Sequence, residues 1–92
     1  MTSVDVTKTI EPYFSGGRLT VLPRRRPARI AVLDFLAGQF EPGRHYTELQ
    51  VNEMLARFHP DYCALRRHMV DEEILDRSDG VYWRAGGTFV VE

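Results

Sequence analysis

The sequence has one cysteine, Cys63, one tryptophan, Trp83, and no long apolar run. A single cysteine cannot form an internal disulfide, which fits a reducing compartment. No stretch approaches the ~20 apolar residues of a membrane-spanning helix. The first residues also lack the basic-then-apolar order of a secretory leader. A cytoplasmic location without membrane association is therefore expected. An excess of one charge is missing too. Lys and Arg number 12 against 13 Asp and Glu, so no global field draws the chain to nucleic acid or to an anionic membrane.

Catalytic sets are equally scarce. There is no Ser-His-Asp set, no Cys-His pair with a supporting acid and no phosphate-cradling loop; Gly16-Gly17 alone marks a turn. Glu72 and Glu73 are adjacent, so on a helix they diverge. His59 and Cys63 lie one helical turn apart, but a zinc site needs three or four converging ligands. His68 falls on the opposite side of the wheel from His59, and His45 belongs to another element. The expectation is a protein with no catalytic residue, metal or cofactor, and Cys63 as a half-buried small side chain.

What is present suffices for one small domain. Ninety-two residues support one core but not two. The 43% hydrophobic and 27% charged content is that of a folded soluble chain rather than a disordered one. Charge is unevenly spread. Between Arg18 and Arg29 there are five arginines and no acid, whereas Asp71 to Asp79 holds five acids and only Arg77.

The organising stretch runs from Arg44 to Arg84. Thr47-Glu48-Leu49-Gln50 has the form of a capping box. Behind it Val51, Met54, Leu55 and Phe58 fall at helical spacing. His59-Pro60-Asp61 breaks that helix and starts another, because the residue before proline resists the helical region and proline suits a first turn. Tyr62, Leu65 and Met69 form the second stripe, leaving Ala64, Arg67, His68 and Asp71 pointing away. After Ile74-Leu75 the period changes. Ser78-Asp79-Gly80 signals a tight turn and Val81-Tyr82-Trp83 favours a strand, so Leu75–Arg77 and Val81–Arg84 are expected to pair. One of Tyr82 and Trp83 should face the core and the other outward.

Upstream, residues 1–9 are read as a loose end or a short docking helix. After the Ser15-Gly16-Gly17 turn, Arg18–Leu22 alternates as an extended arm ended by Pro23. Pro27 opens a helix reaching Gly38 or Phe40, with Ile30, Leu33, Leu36, Ala37 and Phe40 on one face. Phe35 lies nearly opposite, either covered by the arm or exposed in an interface. His45-Tyr46-Thr47 is a short strand, and the tail could add another. The organisation expected is an arm over 1–23, a domain over 24–85 and a tail over 86–92. The class is α+β: a small winged-helix-like domain of three helices plus a β-hairpin wing, with an extended N-terminal arm. Its core is predicted from Leu33, Leu36, Phe40, Val51, Leu55, Phe58, Leu65 and Met69.

Several pieces carry a resemblance: Gly17-Arg18-Leu19 with Leu22-Pro23, Phe40-Glu41-Pro42-Gly43, Tyr46-Thr47-Glu48 with Val51-Asn52, Phe58-His59 with Asp61, Leu65-Arg66-Arg67, and Tyr82-Trp83-Arg84. In that order, from about Phe14 to Arg84, the chain resembles the small bacterial domain-of-unknown-function family numbered two thousand eighty-seven. The resemblance implies a winged-helix-like fold. Its members stand alone or are fused behind helix-turn-helix regulators, which implies a link to transcription. It supplies no catalytic residues.

Two functional classes follow. In the first, the second helix of the motif enters the major groove of double-stranded DNA. Arg67 would then contact a base or a phosphate, with Ala64 and His68 beside it. Arg24, Arg25 and Arg26 would lie on the backbone, and Arg77 and Arg84 would act from the wing. Against this, Arg67 can pair with Asp71 on a solvated face, and the arginine run can pair with Asp71–Glu73. Arg66 should pack by its stem and meet Glu53 or Glu73. In the second class the scaffold is a protein-interaction or dimerisation module that does not bind DNA, using Phe35, Leu19 and Val21 to hold a partner. A homodimer or a partner protein is expected in either case.

Overall fold

Caps and tight turns written into the sequence set the element boundaries. The computed structural model describes residues 10–86. A 3-10 turn, Glu11–Tyr13, leads into a hairpin of β1 (Phe14–Ser15) and β2 (Arg18–Leu19). Then come α1 (Arg26–Ala37), β3 (His45–Thr47), α2 (Glu48–Ala56), α3 (Tyr62–Asp71), β4 (Leu75–Ser78) and β5 (Val81–Arg84). β3, β5 and β4 make an antiparallel sheet in that spatial order, with Tyr46 opposite Tyr82 and Ser78 opposite Val81. Helix, strand, two helices and a hairpin, with β5 in the middle of the sheet, form the expected α+β, winged-helix-like arrangement. The readings placed on 1–9 and on the tail beyond Gly86 lie outside the described residues.

The capping box forms as predicted. Thr47 Oγ1 accepts from the Gln50 N–H at 3.2 Å, and Gln50 Oε1 accepts from the Thr47 N–H at 2.9 Å. Asp61 caps α3 by accepting from the Ala64 N–H at 3.2 Å. His59 Nδ1 accepts from the Asp61 N–H at 3.0 Å, which occupies that histidine with the turn. Past the C-cap Glu72 of α3, Glu73 turns to φ 60, while Ile74 and Glu73 N–H groups reach back to Met69 and Val70 carbonyls at 2.8 and 3.0 Å. This paired turn satisfies the helix-end carbonyls. At the wing tip Asp79 and Gly80 have φ 52 and 78, the left-handed pair that a two-residue hairpin turn requires.

The core is one cluster. Leu33, Leu36, Phe40, Val51, Leu55, Leu65 and Met69 are buried as predicted. Phe58 is only half-buried, because it lies beyond the C-cap of α2. Val32, not Ile30, is fully buried on α1, since it sits one turn before Leu36 on the same row. Tyr46, Leu75 and Tyr82 join from the sheet, and Ile74 from the bend before β4.

The arm needs a larger correction. It is no single extended stretch but a hairpin closed over Gly16-Gly17, which hydrogen-bonds to the segment ending α2 and also packs Phe14 on Phe35 of α1. The Leu19 N–H donates to the Phe58 carbonyl at 2.8 Å, and Arg18 Nη1 donates to the Arg57 carbonyl at 2.7 Å. Carbonyls left over at a helix C-terminus attract such donors, and the cation suits the dipole. Leu19 and Ile10 are each 3% exposed. Leu19, expected on a partner-binding surface, is therefore core. Among the described residues, no helix is long and apolar enough to cross a membrane.

Leu65→Ala and Leu19→Ala should each cost about 2–5 kcal/mol, the range for truncating a buried leucine. Urea melts measure this. An unchanged midpoint for Leu19→Ala would make the arm hairpin dispensable to the fold.

Candidate nucleic-acid interface

The outward stripe of α3 is set by its two caps and by Leu65 and Met69, which point to the core. Cys63, Arg67 and Asp71, spaced four apart, are all exposed. Cys63 is thus not the half-buried residue its chemistry suggested; it shares the stripe of Arg67. The Arg67–Asp71 pair does not form, and Arg67 has no ion pair among the described residues. Ala64 and His68, expected to point fully outward, are half-buried at the border of the stripe.

The wing meets α2 through Tyr82. Its ring is 1% exposed, and its hydroxyl donates to Glu48 Oε1 at 2.9 Å while accepting from Arg77 Nη1 at 3.4 Å. Arg66 donates to Asn52 Oδ1 and lies 4.0 Å from Glu48 Oε2. Its head therefore meets an acid of α2 as expected, but Glu48 at the helix start rather than Glu53, and not Glu73. A cleft of about 190 Å3 opens between α3 and the wing, bordered by Cys63, Arg66, Arg67, Asp71, Arg77 and Tyr82. Trp83, the outward member of the aromatic pair, is half-buried, its ring 5.2 Å from that of His45. Arg84 is turned back: its Nε donates to the Gly86 carbonyl at 3.2 Å.

The Arg24–Arg26 run divides. Arg26 makes a two-pronged contact with Glu72, Nη2 to Oε1 at 2.8 Å and Nε to Oε2 at 3.3 Å. Arg29 adds Nη2 at 3.8 Å to Oε2 and donates Nη1 to the Arg24 carbonyl at 2.6 Å. Arg26 is thus the residue that pairs with the acidic cluster, and it holds the start of α1 beside the end of α3. Arg24 and Arg25 stay exposed next to that junction, without ion pairs among the described residues. The Arg26 hydrogen bond holds the Glu72 carboxyl below its usual range. Partial burial opposes this, and Coulomb attraction from Arg26, Arg29 and His68 adds to it.

Residues 18–84 match the model of an uncharacterized family conserved in bacteria, DUF2087. The chain belongs to this family. The match begins four residues later than the resemblance read from the sequence, at Arg18 rather than Phe14, and ends at the same Arg84. No curated protein and no solved structure matches the chain.

A second surface lies on the far side of α1. Phe14 of the arm meets Phe35 edge-on, with centroids 5.3 Å apart, yet Phe35 remains 45% exposed. Ile10, Phe14, Phe35 and Phe58 line an almost wholly apolar groove of about 320 Å3. Val21 is 54% exposed. Both alternatives for Phe35 are therefore half realised: the arm covers one edge and solvent meets the other. Sequence reading missed Glu48 and Asn52 as holders of Arg66, and Glu48 as the acceptor for Tyr82. Glu48 and Tyr82 stand 34 positions apart, so no local pattern could signal them. Among the described residues no group of three or more His, Cys, Asp or Glu could hold a metal ion.

The Glu72 shift gives a pH dependence. A carboxyl whose folded pKa is depressed contributes stability that is complete above its unfolded value, about 4.3 for Glu, and is lost as pH falls through the lower folded value. Thermal melts from neutral to strongly acidic pH should show a steeper acid loss for the wild type than for Glu72→Gln. Parallel curves would mean that the pair adds nothing to folding.

Proposed function

We propose that this domain binds duplex DNA through α3, as a non-enzymatic winged-helix-like module of a cytoplasmic bacterial transcription regulator. The observation that supports this best is Arg67. Without an ion pair among the described residues, it stands in the middle of the outward stripe of the second helix of a helix-turn-helix, the element that such domains lay in the major groove. Arg24 and Arg25, anchored beside the end of α3 by the Arg26–Glu72 pair, supply phosphate contacts.

Charge sets the strength of this binding. From Asp61 to Arg84 there are four arginines against six acids, of which Glu72 is already neutralised by Arg26 and Arg29. Few phosphates are neutralised at once, so non-specific affinity is low and the salt slope shallow. The apolar groove around Phe35 favours a second reading, a protein-interaction module on the same scaffold, because exposed aromatic surface of this kind marks contact sites.

Titration of genomic DNA fragments at two salt concentrations separates these readings. Arg24→Ala/Arg25→Ala should weaken every duplex about equally and flatten the salt slope by about one unit for each phosphate no longer neutralised. Arg67→Ala should cost about 1.5–3 kcal/mol, the range of a hydrogen bond to a charged group. Absence of salt-dependent binding to any duplex at low salt rejects the DNA reading. Phe35→Ser abolishing a protein contact would then establish the second.

A further inference from the structure

The cleft between α3 and the wing has a charge unlike its surroundings. Three arginines, Arg66, Arg67 and Arg77, border it with one acid, Asp71. Two of the three are held in place. Arg66 is fixed by Asn52 and Glu48, and Arg77 by the Tyr82 hydroxyl, which is itself turned by its bond to Glu48. Each of those contacts uses a fraction of the five N–H donors of a guanidinium. The remaining edges are pre-oriented, and Arg67 can close from the rim. Arginine forks match phosphate oxygens in two-pronged geometry. At about 190 Å3 the cleft is smaller than the roughly 300 Å3 at which pockets for larger organic ligands begin. It suits one phosphoryl group rather than a whole cofactor.

We propose that this cleft is a phosphate site, in which Arg67 and Arg77 bind the phosphoryl oxygens directly and Arg66 completes the positive border. The phosphate comes either from the backbone of a duplex or from a small phosphorylated molecule. Only the first source rests on the DNA-binding reading. Glu48, which touches Arg66 and Tyr82 but lies behind them, is a positioning residue.

The cysteine at the border gives a local readout. Cys63 is exposed and is the sole thiol of the chain, so alkylation by neutral iodoacetamide reports on this cleft and on the outward stripe of α3 that borders it. The full chain would be alkylated in chloride, in inorganic phosphate at matched ionic strength, and with a short DNA duplex. Phosphate, the duplex or both should slow Cys63 alkylation several-fold and saturably relative to chloride. Arg67→Gln and Arg77→Gln should each remove that protection, while Arg24→Ala/Arg25→Ala leaves phosphate protection intact. Arg67 carries no ion pair among the described residues, so its variant tests the site even if Arg77→Gln fails to fold. Protection by the duplex alone that is lost in Arg77→Gln while the duplex still binds identifies the backbone as the source, whereas duplex protection that survives Arg77→Gln reflects α3 in the groove and overturns the cleft site. Protection by free phosphate with no duplex binding in the titration keeps the site and removes the DNA reading. No protection by either, or protection that survives Arg67→Gln, overturns the proposal.

Discussion

Thr47 serves two elements at once. It is the last residue of β3, opposite Val81, and the N-cap of α2. Sheet register and helix start are therefore fixed by the same residue. A one-residue slip of β3 would turn Tyr46 out of the core and break the capping box together. With Thr47 placed, Glu48 is the first residue of α2, within reach of both Tyr82 and Arg66. The orientation of the wing relative to α3, and the shape of the cleft between them, follow from this short sequence of contacts.

A second constraint acts at the other end of α3. The acidic cluster there reads in sequence as an obstacle to any anion. In three dimensions Arg26 and Arg29 bind Glu72 at the junction between α1 and the end of α3. The result is selective. One acid is neutralised, one arginine of the run becomes structural, and Arg24 and Arg25 are left facing solvent beside the same helix. The arm hairpin treats the end of α2 similarly, offering the Leu19 N–H and the Arg18 guanidinium to its carbonyls. Helix ends in so small a domain are completed by neighbouring segments, which leaves few polar groups unsatisfied around a modest core.

The two candidate surfaces differ in kind. The α3 face is polar, with an arginine-bordered cleft, whereas the groove between the arm and α1 is apolar. They are built by different elements, α3 with the wing in one case and the arm with α1 in the other.

Much of the fold was legible locally. The capping box at Thr47, the proline break before Asp61 and the Asp79-Gly80 turn each depend on neighbours within four residues, so three helices and a hairpin follow in order from local pattern. The helical spacing of Leu33, Leu36, Val51, Leu55, Leu65 and Met69 determined the centre of the core for the same reason. Long-range packing settled which charges remain available. Arg26 and Arg67 look equivalent in sequence, but one meets an acid 46 positions away and the other meets none among the described residues. It also decided that Leu19 is core, that Cys63 is exposed and that Arg66 faces Glu48. Those outcomes depend on segments distant in sequence being brought within a few ångströms, where hydrogen bonds and burial, not local propensity, set each side chain's environment.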